Sequence, residues 1–156
     1  MSVISNLQYI KYNMNQKNGV ANNTGITKAT CHYFMPLKQD DLEKARRVKA
    51  IIEKEYFKSH SVEDLASIVG TNKCTLNCLF HEITYMPVKQ YLLWFRIEKA
   101  KDFLTSTNDS IKQIAGKVGI SRRNLERQFK KLVRMTPYEW RKKEQDEWKR
   151  AGQDAM

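Results

Sequence analysis

The chain has 156 residues, 41% of them hydrophobic, which is room for one ordinary domain or two very small ones and enough apolar material for a core. Lys and Arg number 28 against 17 Asp and Glu, a net charge of +11 that points to a polyanionic partner rather than a cationic substrate. No apolar run approaches the roughly 18 residues of a membrane helix, and Met1 to Gln16 lacks a secretory h-region, so a membrane role is not expected. Cys31, Cys74 and Cys78 are an odd count that suits a reducing cytoplasm and excludes a secreted disulfide scaffold.

Residues 1–39 hold six asparagines, two glycines and no acid, and their periodicity is poor. They read as a flexible or loosely docked arm tied down near Pro36, with a short strand pair as the other option. Asp40 and Asp41 then complement the dipole of a helix start, and Leu42, Ala45, Val48, Ile51, Ile52 and Tyr56 recur at i, i+3, i+4 spacing. Ser61 opens a short helix (Val62, Leu65, Ala66, Val69) that Gly70 closes. A second short helix follows Asn72 and buries Leu76, Phe80 and Ile83. Around Pro87 a longer helix begins, carrying Tyr91, Leu92, Phe95, Ala100, Phe103 and Leu104. Ser110 restarts the short-helix pattern in a Ser-x-x-Gln capping box with Gln113. No stretch alternates with period two, so the predicted fold is all-α.

Shifting the sequence by 49 residues aligns 61–91 with 110–140, with seven of 31 positions identical. Ser61/Ser110, Ala66/Ala115, Val69/Val118, Gly70/Gly119, Leu76/Leu125, Phe80/Phe129 and Met86/Met135 each have a structural task as cap, close-packed small residue, turn glycine or core. Each unit therefore reads as a helix-turn-helix, a helix pair whose second member can enter the DNA major groove. The predicted organisation is two helix-turn-helix subdomains joined by a long linker helix. The arm covers 1–39, the first subdomain 40–87, the linker helix 88–105, the second subdomain 106–141 and a C-terminal tail 142–156, whose Trp148 and basic run read as a frayed end.

Two such units joined by a helix containing Arg96-Ile97-x-x-Ala100 resemble the AraC/XylS family of bacterial transcription regulators. So does the second unit's Ile111-x-x-Ile114-Ala115-x-x-Val118-Gly119-Ile120-Ser121, running through Leu125-x-Arg127-x-Phe129-Lys130-Lys131 to Thr136-Pro137-x-x-Trp140-Arg141. The similarity spans about residues 42–141. It implies sequence-specific promoter binding, both second helices entering successive major grooves on one face of the duplex. It also implies that Arg96 packs or buttresses rather than reads bases. The sequence departs from the family where a glycine usually follows the Phe-Lys-Lys run: Tyr85 and Arg134 stand there.

At about 100° per residue, Leu76, Phe80 and Ile83 fix the buried stripe of the first recognition helix. Cys74, Cys78 and His81 fall on the opposite face, with Asn77 about 100° from Leu76. The matching positions of the second unit are Arg123, Arg127, Lys130 and Glu126. With Lys73 and Arg122 at the helix starts, the predicted base-facing set is Lys73, Cys74, Asn77, Cys78, His81, Arg122, Arg123, Glu126 and Arg127. Lys130, Lys131, Ser61 and Ser110 are the predicted phosphate contacts. Residues 59–87 hold one lysine against three acids, whereas 106–141 hold nine Lys or Arg against three acids, so the second unit is the expected anchor.

Cys74, Cys78 and His81 are also a weak metal-ligand candidate, with His60 or the Cys31-His32 pair as a fourth donor, although the spacing matches no standard zinc pattern. No nucleophile–base set or phosphate-binding glycine loop is present, so neither an enzyme nor a cofactor is predicted. The reading is a cytoplasmic, nucleoid-associated bacterial regulator that binds double-stranded promoter DNA as a monomer rather than an obligate dimer. The alternatives are a thiol- or metal-responsive sensor using the Cys74/Cys78/His81 face, and a protein-interaction module that contacts DNA only through the second unit and presents the first to a partner such as RNA polymerase.

Overall fold

The computed structural model describes residues 38–153, and all of its regular structure is helical: α1 Gln39–Glu55, α2 Val62–Ile68, α3 Lys73–Thr84, α4 Val88–Ser106, α5 Ile111–Lys117, α6 Arg122–Val133 and α7 Pro137–Gln153. Apart from its last two positions, the predicted arm 1–39 lies outside the described residues, and Cys31 and His32 lie there with it.

The 49-residue repeat holds residue for residue: α2 and α5 each run seven residues, α3 and α6 each run twelve, and all their ends match under the shift. The same local chemistry stops and starts each pair. Ser61 and Ser110 cap the first helices by accepting from the amides of Asp64 and Gln113, and the Ser110–Gln113 capping box closes in both directions. Gly70 (φ +65°) and Gly119 (φ +74°) turn the chain in the left-handed region. There the amides of Thr71 and Ile120 donate back to Ala66 O and Ala115 O, both at 3.0 Å. This Schellman arrangement satisfies carbonyls the helix leaves open. Asn72 and Ser121 then cap the second helices.

Two cores form, and α4 belongs to both. Val88, Tyr91, Leu92 and Trp94 join Ala45, Val48, Ile52, Leu65, Leu76 and Phe80 in the first; Ile97, Ala100 and Leu104 join Ile114, Val118, Leu125 and Phe129 in the second. At about 100° per residue from Val88, Leu92 and Phe95 lie within about 40°, whereas Ile97, Ala100 and Leu104 lie about 120–180° away. The linker helix thus turns opposite sides to the two units. Tyr56, just past α1, packs against both cores. Helix α7 continues unbroken to Gln153 where the sequence predicts a frayed tail, carrying an exposed Lys143–Glu147 pair one turn apart.

Both recognition-helix candidates end on a residue in the left-handed region, Tyr85 (φ +58°) and Arg134 (φ +66°), where the family favours glycine. Their amides donate to His81 O and Lys130 O, so the turn survives without the glycine, at the cost of a Cβ in a crowded conformation. The Tyr85 side chain is 64% exposed, so truncating it loses little packing. Tyr85→Gly should stabilise the fold by roughly 1 kcal/mol, the strain relief outweighing the added freedom of the unfolded chain, and Arg134→Gly by less, because the Arg134 side chain makes an interaction that the change removes. Urea unfolding of each variant beside the parent protein measures this.

Candidate nucleic-acid interface

Helices α3 and α6 carry the predicted base-facing residues, and the structure separates those positions into three kinds. The first kind is open to a ligand. Arg123 is exposed with no ion pair among the described residues, as are Lys130 and Lys131. Cys74 is exposed with a free thiol, and His81 is exposed on the same helix. Arg127 is exposed and only lightly tethered, its Nη2 donating to Asn124 Oδ1 at 3.0 Å.

The second kind is held by an ion pair on its own surface. Lys73 Nζ lies 2.7 Å from Glu63 Oε1, and the pair shifts both groups, Glu63 below and Lys73 above their ordinary values. The only lysine of the 59–87 segment is therefore already matched with an acid. Arg122 Nε lies 2.8 Å from Glu126 Oε1, one turn along α6. Both pairs are exposed, so DNA phosphate or a base edge can compete for either cation at small cost.

The third kind faces inward. Asn77 is half-buried, and its Oδ1 accepts from the amide of Val88 at 3.1 Å, so it caps the start of α4 rather than facing a groove. The reason is a buried arc wider than three core positions imply: Leu79 and Thr84 are buried as well. Thr84 donates to Phe80 O, drawing the turn around Met86 onto α3. That brings the start of α4 against Asn77. Its counterpart Glu126 has no such task, because the residue matching Val88 is Pro137, which has no amide proton to satisfy. Cys78 is half-buried and is not free, so it does not stand open as Cys74 does.

The metal candidate does not assemble. No group of three His, Cys, Asp or Glu able to hold a metal ion occurs among the described residues. Cys74 and His81 stand seven residues apart on α3, about 10 Å along the axis, and Cys78 between them is engaged elsewhere. His60 instead meets Glu55 O at 3.1 Å through Nε2. Of the predicted phosphate contacts, Ser61 keeps its hydroxyl proton after accepting from Asp64. Ser110 instead donates its hydroxyl to Gln113 Oε1 at 2.8 Å.

Three further cations are structural. Arg96 donates from Nε to Tyr56 O at 2.6 Å and from Nη2 to Lys58 O at 2.7 Å, the buttress its place in the motif implies, and burial lowers its pKa. Arg141 makes the matching clamp in the second unit, donating to Leu104 O at 3.3 Å and to Asp109 O. Each arginine holds the chain that leads into its unit's first helix. The sequence reading missed the Arg141 clamp, since the two arginines are 45 residues apart rather than 49. Lys117 pairs with Asp109 and holds that carboxyl below the ordinary carboxylate range. Of the two second helices, α3 and α6, the exposed Lys and Arg left without an ion pair all lie on α6.

Paired helices of this kind, each with a Schellman turn and an exposed second helix, define a double helix-turn-helix DNA-binding domain. A family model described as a helix-turn-helix domain matches residues 65–143. The Msm operon regulatory protein of Streptococcus mutans is 29% identical over 101 residues, 64% of this chain and 36% of that protein. The chain thus spans about a third of the length of that relative. The C-terminal domain of the two-component response regulator yesN from Fusobacterium nucleatum is 28% identical with a TM-score of 0.60, covering 64% of this chain and 98% of that one. A transcriptional regulator of Chromobacterium violaceum, described by its AraC-type DNA-binding domain, is 25% identical with a TM-score of 0.61, covering 65% and 92%. The chain belongs to the AraC-type helix-turn-helix family.

Asn77→Ala should destabilise the protein by about 1 kcal/mol, the usual cost of a lost cap. It should weaken binding to all DNA sequences alike, and comparing base preferences of variant and parent measures that uniformity. Glu63→Gln should free Lys73 and raise DNA affinity at low salt, an effect that fades as salt rises. The gain should disappear when Lys73→Gln is added, which titrations of the single and double variants measure.

Proposed function

We propose that the chain is a sequence-specific transcription regulator that binds promoter DNA through α3 and α6, laid into successive major grooves on one face of the duplex. The observation that carries this reading is the repeat itself: two helix pairs whose ends coincide under the 49-residue shift, each leaving one face of its second helix open to solvent. Successive grooves lie about 34 Å apart, so one chain covers an asymmetric site of two turns without dimerising. Arg123 and Arg127 are the base readers, since arginine matches guanine O6 and N7 with two hydrogen bonds. Lys130 and Lys131 hold phosphates, and Arg122 joins them once released from Glu126. In the first unit Cys74, His81 and Lys73 present a smaller, less charged surface, so that half contributes less affinity. A regulator of this kind works in the bacterial cytoplasm.

One observation favours a second reading, in which the first unit meets a protein such as RNA polymerase instead of DNA. Its one lysine between residues 59 and 87 is paired and three acids surround it in sequence. Selection from a random DNA pool followed by footprinting separates the two, because the partner reading leaves a footprint over a single groove. Arg127→Ala should cost about 1–3 kcal/mol on the selected site and relax preference at one base pair. Lys131→Ala should weaken every sequence alike and reduce the salt slope by about 1. Titrations of both variants at several salt concentrations read the difference; normal binding by Arg127→Ala would sink the assigned orientation of α6.

A further inference from the structure

The two turn glycines are alike in backbone and unlike in surroundings. Gly70 and Gly119 share the left-handed conformation, and their amides donate to Ser67 O and Gly116 O, both at 3.1 Å. A Cβ on Gly70 would meet nothing within 4 Å. A Cβ on Gly119 would lie 2.1 Å from Phe57 O, 2.7 Å from Phe57 C and 2.9 Å from Phe57 Cα. The turn of the second unit is therefore seated on the backbone between α1 and α2 of the first.

The same short segment is gripped from α4. Arg96 binds the carbonyls on either side of Phe57, those of Tyr56 and Lys58, and the Tyr56 ring packs into both cores. Three separate contacts thus converge on residues 56–58. Where backbone meets backbone no side-chain rotamer can relieve a change, so the separation and angle of the units are stiff at this point. We infer that the Gly119–Phe57 contact sets the distance and angle at which α3 and α6 are presented, making Gly119 a positioning residue that determines half-site spacing. This inference rests on the two-groove reading.

The test uses the full chain on duplexes carrying the selected site with base pairs inserted or deleted between its halves, and on a duplex carrying only the second unit's half. The parent protein should show one optimal spacing. Gly119→Ala should lose about tenfold on that duplex, the size of a coupling between residues in contact, and should shift or flatten the optimum. Its affinity for the half-site duplex should not change. Gly70→Ala carries the same left-handed strain without the collision and should keep both the optimum and the ratio of full-site to half-site affinity. Arg96→Gln, which releases the segment from the other side, should act in the direction of Gly119→Ala. Matching behaviour of Gly119→Ala and Gly70→Ala would overturn the inference. If Gly119→Ala loses its helical circular dichroism, an optimum unchanged in Arg96→Gln overturns it instead. A parent protein with no preferred spacing removes the two-groove reading, and the inference with it. An optimum retained by all variants removes the inference alone.

Discussion

Ile97, Ala100 and Leu104 lie on the side of α4 away from Val88 and Leu92, and both sides are buried, each in a different core. A nineteen-residue helix is about 28 Å long, so its two halves serve separate units while forming one rigid rod. Each unit alone offers two short helices, too little apolar surface for a stable core. The first gains α1 and the front of α4; the second gains the rear of α4 and α7. The two buried stripes of α4 put the two units on opposite sides of that helix.

Within that frame the units have kept their backbone and exchanged their chemistry. Tyr91 in the first core donates its hydroxyl to Glu53 Oε1 at 2.6 Å, and burial raises its pKa. The same repeat position in the second unit is Trp140, which packs edge-on against Phe129 under the Lys101 ammonium. Asn77 caps α4, while α7 starts on Pro137 and is closed by reciprocal bonds between Thr136 and Glu139. A capping task met by an α3 side chain in one unit is met by local sequence in the other, leaving α6 more of its surface for charge.

That difference reaches the electrostatics. Lys117, Arg96 and Arg141 are held by carboxylate or carbonyl partners within the fold, so these three cations are less available to a ligand than their number in the sequence implies. Arg123, Lys130 and Lys131 stand apart on one helix, and a cluster of that kind focuses potential where the same charges spread evenly would not.

Much of this was legible in the order of residues. Ser61, Ser110, Asn72 and Ser121 cap by bonds spanning three residues, Gly70 and Gly119 turn by their own φ, and the apolar stripes follow helical period, so each signal lies within a few positions of its effect. The 49-residue repeat then revealed two copies of one motif. Tertiary structure decided what depends on distant partners. Asn77 reads as an exposed polar residue until Val88, eleven positions on, is folded against it. Gly70 and Gly119 are indistinguishable in sequence, and only the approach of Phe57, 62 positions earlier in the chain, separates a turn in open space from a turn wedged against backbone. Cys78 likewise has the spacing of a groove-facing residue but is engaged elsewhere. Local hydrogen bonds and period are written in short stretches of sequence; which surface remains free is set by what packs beside it.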